Sequence, residues 1–210
     1  MQIEFSEELH EYTVDDERFP SITQVLGDEG MADFLFASMA DRDRGSAVHR
    51  VTEIIDMKPW EGATVEEIVA NSRWDPDSTS ATLIPYGYAY AQFLLDTGFR
   101  SKVVEGKVAS KAYRVAGRFD RWGLTASGKR WLVDLKSGQP TDAAWVQVAL
   151  YAHCAKETHG LDTDEVAIVW LKRDGSYKLF GPPRPPSGTD LQIGFCAINL
   201  WWWRHQHNCF

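Results

Sequence analysis

Residues 131–138 read "WLVDLKSG". Three apolar side chains lead into Asp134, one apolar residue separates it from Lys136, and Ser137-Gly138 ends the run. This is the pattern of a buried strand closed by a turn. Side chains alternate across a strand, so Asp134 and Lys136 share one face while Val133 and Leu135 share the other. Taken alone, the pair reads as a strand-end ion pair of small energetic weight. The neighbouring strands supply a second reading.

Just upstream, "AGRFD" (residues 116–120) places Phe119 and Asp120 on opposite faces of a paired strand. Asp120 then points to the side of Asp134 while Phe119 enters the core. Gly117 lets the backbone bend or lets another group approach closely. "VVEGK" (residues 103–107) offers Glu105 as a third acid, although Glu105 and Lys107 also fit a solvated strand face. Adjacent strands lie ~4.8 Å apart, so such carboxylates reach a common ion. Without a cation they repel, and one is driven toward protonation. Mg2+ or Mn2+, hard cations that take oxygen ligands, relieve that repulsion. Lys136 beside them orients or deprotonates a water, or stabilises charge in a transition state. A metal, a lysine and clustered carboxylates suit hydrolysis of a phosphodiester.

Around this centre the chain reads as α/β: helices, three strands, a helix, two strands and a helix, forming a mixed sheet with helices around it. Residues 2–20 form a hairpin with "DDE" as its turn, and Ser21 caps a short helix through Leu26. Met31 to Met57 is helical with Gly45 as an interruption, Thr64–Ala70 a short helix, and "NSRWDPDS" a loop. Ser80–Thr97 is helical, entered near Pro85 and closed by Gly98. Strands follow over 99–109, 112–125 and 130–136, then a helix from Asp142 to His159 capped by Thr141 or Asp142. "EVAIVWLKR" and "YKLF" pair across a tight turn, and Thr189–His207 is the last helix. We expect one domain, with residues 1–98 carrying the hairpin and helices, 99–180 the sheet core and 181–210 the C-terminal helix.

The 210 residues, 44% hydrophobic, describe a folded chain able to bury a sizeable core. The formal charge of −8 means that any nucleic-acid contact requires a local basic groove or bound metals. Cys154, Cys196 and Cys209 form no CxxC pair, which fits free thiols in a reducing compartment. "MQIEFSEELHEY" lacks a basic n-region and an apolar h-region, and no run approaches ~20 apolar residues, so neither a signal peptide nor a membrane span is expected. The tail "WWWRHQH" either stacks on single-stranded bases or packs against the sheet or a partner subunit.

Four motifs in order resemble the PD-(D/E)XK nuclease superfamily, in the RecB-like branch that includes phage and mobile-element exonucleases. "GSAVH" (Gly45 to His49) resembles the helical G-x-x-x-H, and "GRFD" (Gly117 to Asp120) resembles G-x-x-D. "DLK" (Asp134 to Lys136) resembles D-x-K, and "QVALY" (Gln147 to Tyr151) resembles the Q-x-x-x-Y of the following helix. The opening "HEYTVDDERFPSITQVL" also looks like phage-type members. The resemblance runs from about residue 10 to 152 and implies a restriction-endonuclease-like core.

The resemblance implies a metal-dependent deoxyribonuclease, an exonuclease of recombination, repair or phage replication, acting in the bacterial or phage-infected cytoplasm. Asp120 and Asp134 would hold Mg2+ or Mn2+, with His49 completing or flanking the coordination. Lys136 would position and activate water, and Glu105 would serve a second metal or orient water. Gln147 and Tyr151 would support Lys136 or the DNA backbone. Arg44 and Arg50, beside the histidine motif, would meet phosphates of single- or double-stranded DNA. A recombinase or a single-strand-binding protein is an expected partner. Some relatives hold an iron-sulfur cluster on four cysteines; with three cysteines, none before Cys154, no such cluster is expected here. The alternatives are a catalytically silent DNA-binding or inhibitor module of the same fold, and an RNA-directed nuclease.

Overall fold

The computed structural model describes residues 1–6, 11–31, 39–58, 60–72 and 81–209, with residues 39–42 described by their backbone alone. At the N-terminus β1 (Ile3–Ser6), β2 (Glu11–Val14) and β3 (Glu17–Phe19) form an antiparallel sheet in that order. Asp15 and Asp16 both take left-handed backbone angles, φ 45° and 70°. Two left-handed residues match the twist of a two-residue hairpin turn. Glu17, expected in the turn, therefore opens a third strand.

α1 (Ile22–Asp28) starts at Ser21, whose side chain accepts from the Gln24 amide at 2.9 Å as the capping pattern requires. α2 (Met39–Asp56) runs through Gly45, which does not interrupt it as expected; a lone helix glycine costs only ~1 kcal/mol. Residues 32–38 of the expected helix, 73–78 of the expected loop and Ser80, the expected start of the next helix, lie outside the described residues. α3 (Val65–Asn71) carries a capping box between Thr64 and Glu67. α4 (Ile84–Thr97) begins later than the expected Ser80, has Pro85 in its first turn and ends on Gly98 with φ 59°.

The main sheet runs β4 (Arg100–Ser110), β5 (Val115–Leu124), β6 (Arg130–Lys136), β7 (Glu165–Leu171) and β8 (Tyr177–Leu179). β6 and β7 pair in parallel, joined by α5 (Ala143–His159), and the other neighbours pair antiparallel. Asp142 occupies the α5 N-cap position without a side-chain capping bond. α6 (Gly188–His207) closes the chain.

Alternation along the central strands divides the core in two. Leu132, Val166 and Ile168 face α1, α5 and α6; Trp131, Val133, Leu135, Ala167 and Val169 face α2, α3 and α4. The result is the expected mixed sheet with helices on both faces. α5 is buried from Ala144 to Ala152 without a break, because it lies between the sheet and α6. In the Trp-rich tail, Trp201 is buried and donates to Asp28 at 2.8 Å, Trp202 lies 4.4 Å from the Arg114 guanidinium, and Trp203 stays exposed. Among the described residues, no helix is long and apolar enough to cross a membrane.

Candidate active site

Three adjacent strands set the acids in line. The pairs Val104↔Arg121 and Gly106↔Phe119 put Glu105 opposite Asp120. The β5–β6 ladder ends at Arg121↔Val133, which places Asp120 level with Asp134 one step beyond it. There the Leu135 amide donates to Asp120 Oδ2 at 2.6 Å, so a carboxylate takes the place of a ladder carbonyl. Glu105 sits in β4 with φ 50°, the one positive-φ non-glycine residue inside a strand among the described residues. A side chain held in that region costs about 1–3 kcal/mol and persists where its surroundings fix it.

α2 brings His49 over this edge. Its Nδ1 lies 3.3 Å from Glu105 Oε1 and 3.5 Å from Asp120 Oδ1. The ligand atoms of His49, Glu105 and Asp120 all fall within 4.8 Å of one another. Asp134 is buried beside them, its Oδ2 paired with Lys136 Nζ at 3.0 Å and its Oδ1 accepting from the same ammonium at 3.3 Å. Lys136 Nζ also donates to Gln147 Oε1 at 2.9 Å, and the Gln147 amide reaches Tyr151 Oη at 3.1 Å and Thr23 Oγ1 at 3.2 Å. A cleft of about 810 Å³ holds these groups together with Arg50 and Glu53. Arg44 lines a recess beside the cleft.

Two carboxylate oxygens and an imidazole nitrogen meeting around one point, with the buried Asp134 carboxylate beside them, fit a hard divalent cation. The expected group of His49, Asp120 and Asp134 differs from this trio in one member. Glu105 completes the trio, while Asp134 is paired with Lys136.

The electrostatics follow from burial. Burial raises the Asp120 carboxyl to about 6, with Asp134 and Glu105 adding to it. Burial disfavours the His49 cation, yet Asp120 and Glu105 outweigh it and push the imidazole up to about 9. Burial also opposes ionisation of Glu105, but the bond to His49 and the nearby arginines hold its carboxyl below the usual range. The trio is thus balanced by a proton on His49, and a metal must displace that proton. Mn2+ affinity is expected to rise about tenfold per pH unit between about 6 and 9 and to flatten above, as titration calorimetry would show. An affinity independent of pH would exclude His49 from the ligand set.

Gly117 serves close approach, one of the two roles expected for it. A Cβ there would sit 2.6 Å from Tyr151 Cε1. Gly117→Ala is expected to cost about 1–3 kcal/mol in urea denaturation by displacing the Tyr151 ring. At Gly45, by contrast, the one contact a Cβ would make among the described residues is Ser137 Oγ at 3.9 Å.

Arg121, Asp56 and Thr23 escape the sequence reading. Arg121 is wholly buried and binds Asp56 Oδ2 at 2.5 Å, Glu105 Oε1 at 2.9 Å and Thr52 Oγ1 at 2.7 Å. The signal available was spacing: His49, Thr52 and Asp56 stand at i, i+3 and i+7 on one face of α2.

The family model described as the PD-(D/E)XK nuclease superfamily matches residues 26–178. Among solved structures 27 chains match. One of them, described as the crystal structure of SSO0001, is 15% identical over 71% of this chain and 74% of that chain, with a TM-score of 0.33. No curated protein matches.

Proposed function

We propose that this chain, which belongs to the PD-(D/E)XK nuclease superfamily, is a metal-dependent deoxyribonuclease of the RecB-like branch that degrades DNA from an end. The observation that carries this reading is the meeting of His49, Glu105 and Asp120 within 4.8 Å, in the same cleft as the Asp134–Lys136 pair. His49, Glu105 and Asp120 would hold Mg2+ or Mn2+, with Asp134 joining from the adjacent strand. Such an ion supplies positive charge that polarises the phosphodiester and eases ionisation of water.

The chain's own groups do the rest. Lys136 Nζ, fixed between Asp134 and Gln147, directs hydrogen bonds at an attacking water or at an anionic phosphoryl oxygen. Gln147 is itself fixed by Thr23 and Tyr151, so Lys136 is aimed before substrate arrives. Arg50, exposed on the cleft wall, meets a backbone phosphate. Recombination, repair or phage replication is the setting in which such end-degradation serves.

The test is incubation of end-labelled linear DNA, circular DNA and RNA with Mg2+, Mn2+ or EDTA. Mononucleotides or short products from linear DNA alone, abolished by EDTA, are expected. Binding without products in either metal would leave a silent DNA-binding module, and products from RNA alone would overturn the DNA assignment.

A further inference from the structure

A second hollow adjoins the cleft. It encloses about 430 Å³, within the ~300–1,000 Å³ of small-ligand pockets. Its wall includes Arg44, Trp170, Lys172 and Arg173, with Asp174 the acid among them. The Asp174 carboxylate is engaged locally, accepting from the Ser176 amide at 2.9 Å and from Ser176 Oγ at 2.6 Å. Trp170 is half-buried at the end of β7, and Lys172 Nζ lies 5.6 Å from its ring centroid. Arg173 is exposed on the turn that follows. That turn is held by the Lys172 amide on the Ser176 carbonyl at 2.9 Å and the Gly175 amide on the Lys172 carbonyl at 3.2 Å. On a chain of net charge −8, Lys172 and Arg173 beside one indole make a place for an anion with a flat ring.

The hollow and the cleft share a boundary. Gly45 and Lys136 line the cleft, while their neighbours Arg44 and Ser137 line the hollow. At that boundary a Cβ added to Gly45 would lie 3.9 Å from Ser137 Oγ. A strand whose phosphate lay at Lys136 would have to cross this Gly45–Ser137 boundary to reach the hollow.

We propose that this hollow binds single-stranded nucleic acid, taking the unpaired nucleotide beside the scissile phosphate: its base on Trp170, its phosphate on Lys172 and Arg173. The assignment rests on the nuclease reading for its position beside the cleft. Ring faces are available only in unpaired strands, since a duplex offers its phosphates and hides its bases' faces in the stack. The hollow thus selects a frayed or single-stranded end over a blunt one.

The test is fluorescence anisotropy of the full chain with labelled single-stranded DNA, single-stranded RNA and a blunt DNA duplex, in Ca2+. Lys172→Ala/Arg173→Ala removes one half-buried and one exposed charge, and Trp170→Phe keeps a ring where Trp170→Ala removes it. The double variant is expected to weaken single-strand binding about tenfold and to lower its salt slope by about 1.4, with duplex affinity changed less than twofold. Trp170→Ala is expected to weaken single-strand binding about tenfold, and Trp170→Phe to restore most of it. Preference between the DNA and RNA strands identifies the sugar that the hollow accepts. Unchanged single-strand binding in the double variant, or equal losses for single strand and duplex, would overturn the proposal. Because binding is read without turnover, a wild-type chain that binds single strands here and never cleaves would sink the nuclease reading alone.

Discussion

Lys136→Ala is expected to lower metal-dependent DNA cleavage about a thousandfold or more while the chain still folds, as would follow from removing a charge aimed at the reacting phosphate. Lys136 is not a packing residue: its side chain is 23% exposed, and its ammonium spans Asp134 and Gln147 at the cleft. Truncation therefore costs little buried apolar surface. It does strip Asp134 of its ion-pair partner, and Asp134 is 3% exposed. Some loss of stability is expected in metal-free buffer, recovered when Mn2+ fills the site, since a ligand that binds only the folded state raises its stability. Asp134→Ala should abolish cleavage equally and, with the buried charge gone, melt no lower than Lys136→Ala. Single-turnover digestion of labelled DNA beside thermal melts with and without Mn2+ separates the two effects. Either variant cleaving at the wild-type rate would show that the chemistry lies elsewhere.

How far the sequence led to this site depends on periodicity. Residues 131–136 keep the period of a regular strand, Trp131, Val133 and Leu135 packing on one side and Leu132 on the other, so the shared face of Asp134 and Lys136 was readable, and Lys136 does reach across to α5. Gln147 and Tyr151, one helical turn apart, do bond to each other. The helices and strands of the main sheet also fall close to their expected spans, because caps, glycines and β-branched runs mark them locally. Alternation fails at Arg121. Phe119 and Trp122 both pack on the cluster beneath α5, although they are three residues apart. The pleat therefore slips once between them, and Asp120 and Arg121 both serve the side of α2. The paired strand has its own irregularity at the same level, the left-handed Glu105. Nothing in a period-two pattern announces such a slip. An arginine following an aspartate on a strand reads as solvated surface, and only the tertiary pairing with Asp56 shows otherwise.

That buried arginine is where the largest stability effect is expected. Arg121 has no exposed surface, and Asp56 on its other side is 4% exposed by side chain. Its guanidinium also donates to the Asp120 carbonyl at 2.8 Å, so it ties α2, β4 and β5 together beneath the acid trio. Removing one partner of such a buried pair leaves an uncompensated charge, typically a loss of about 3–5 kcal/mol. Arg121→Ala is expected to lose that much in urea denaturation, with Arg121→Lys intermediate because an ammonium cannot span Asp56, Glu105 and Thr52 as the fork does. The pH dependence distinguishes this cause from a simple cavity. Burial already pushes the Asp56 carboxyl above its ordinary range, and without Arg121 it rises further. The folded variant then binds a proton that the unfolded chain releases, so its stability grows as pH falls. Its deficit against the wild type should shrink as pH falls, and Asp56→Asn in the same chain should remove most of that slope, the rest coming from Glu105, which also loses Arg121. A deficit that ignores pH and persists with Asp56→Asn would mean that Arg121 acts by filling space, and that the acids above it owe their placement to something other than its charge.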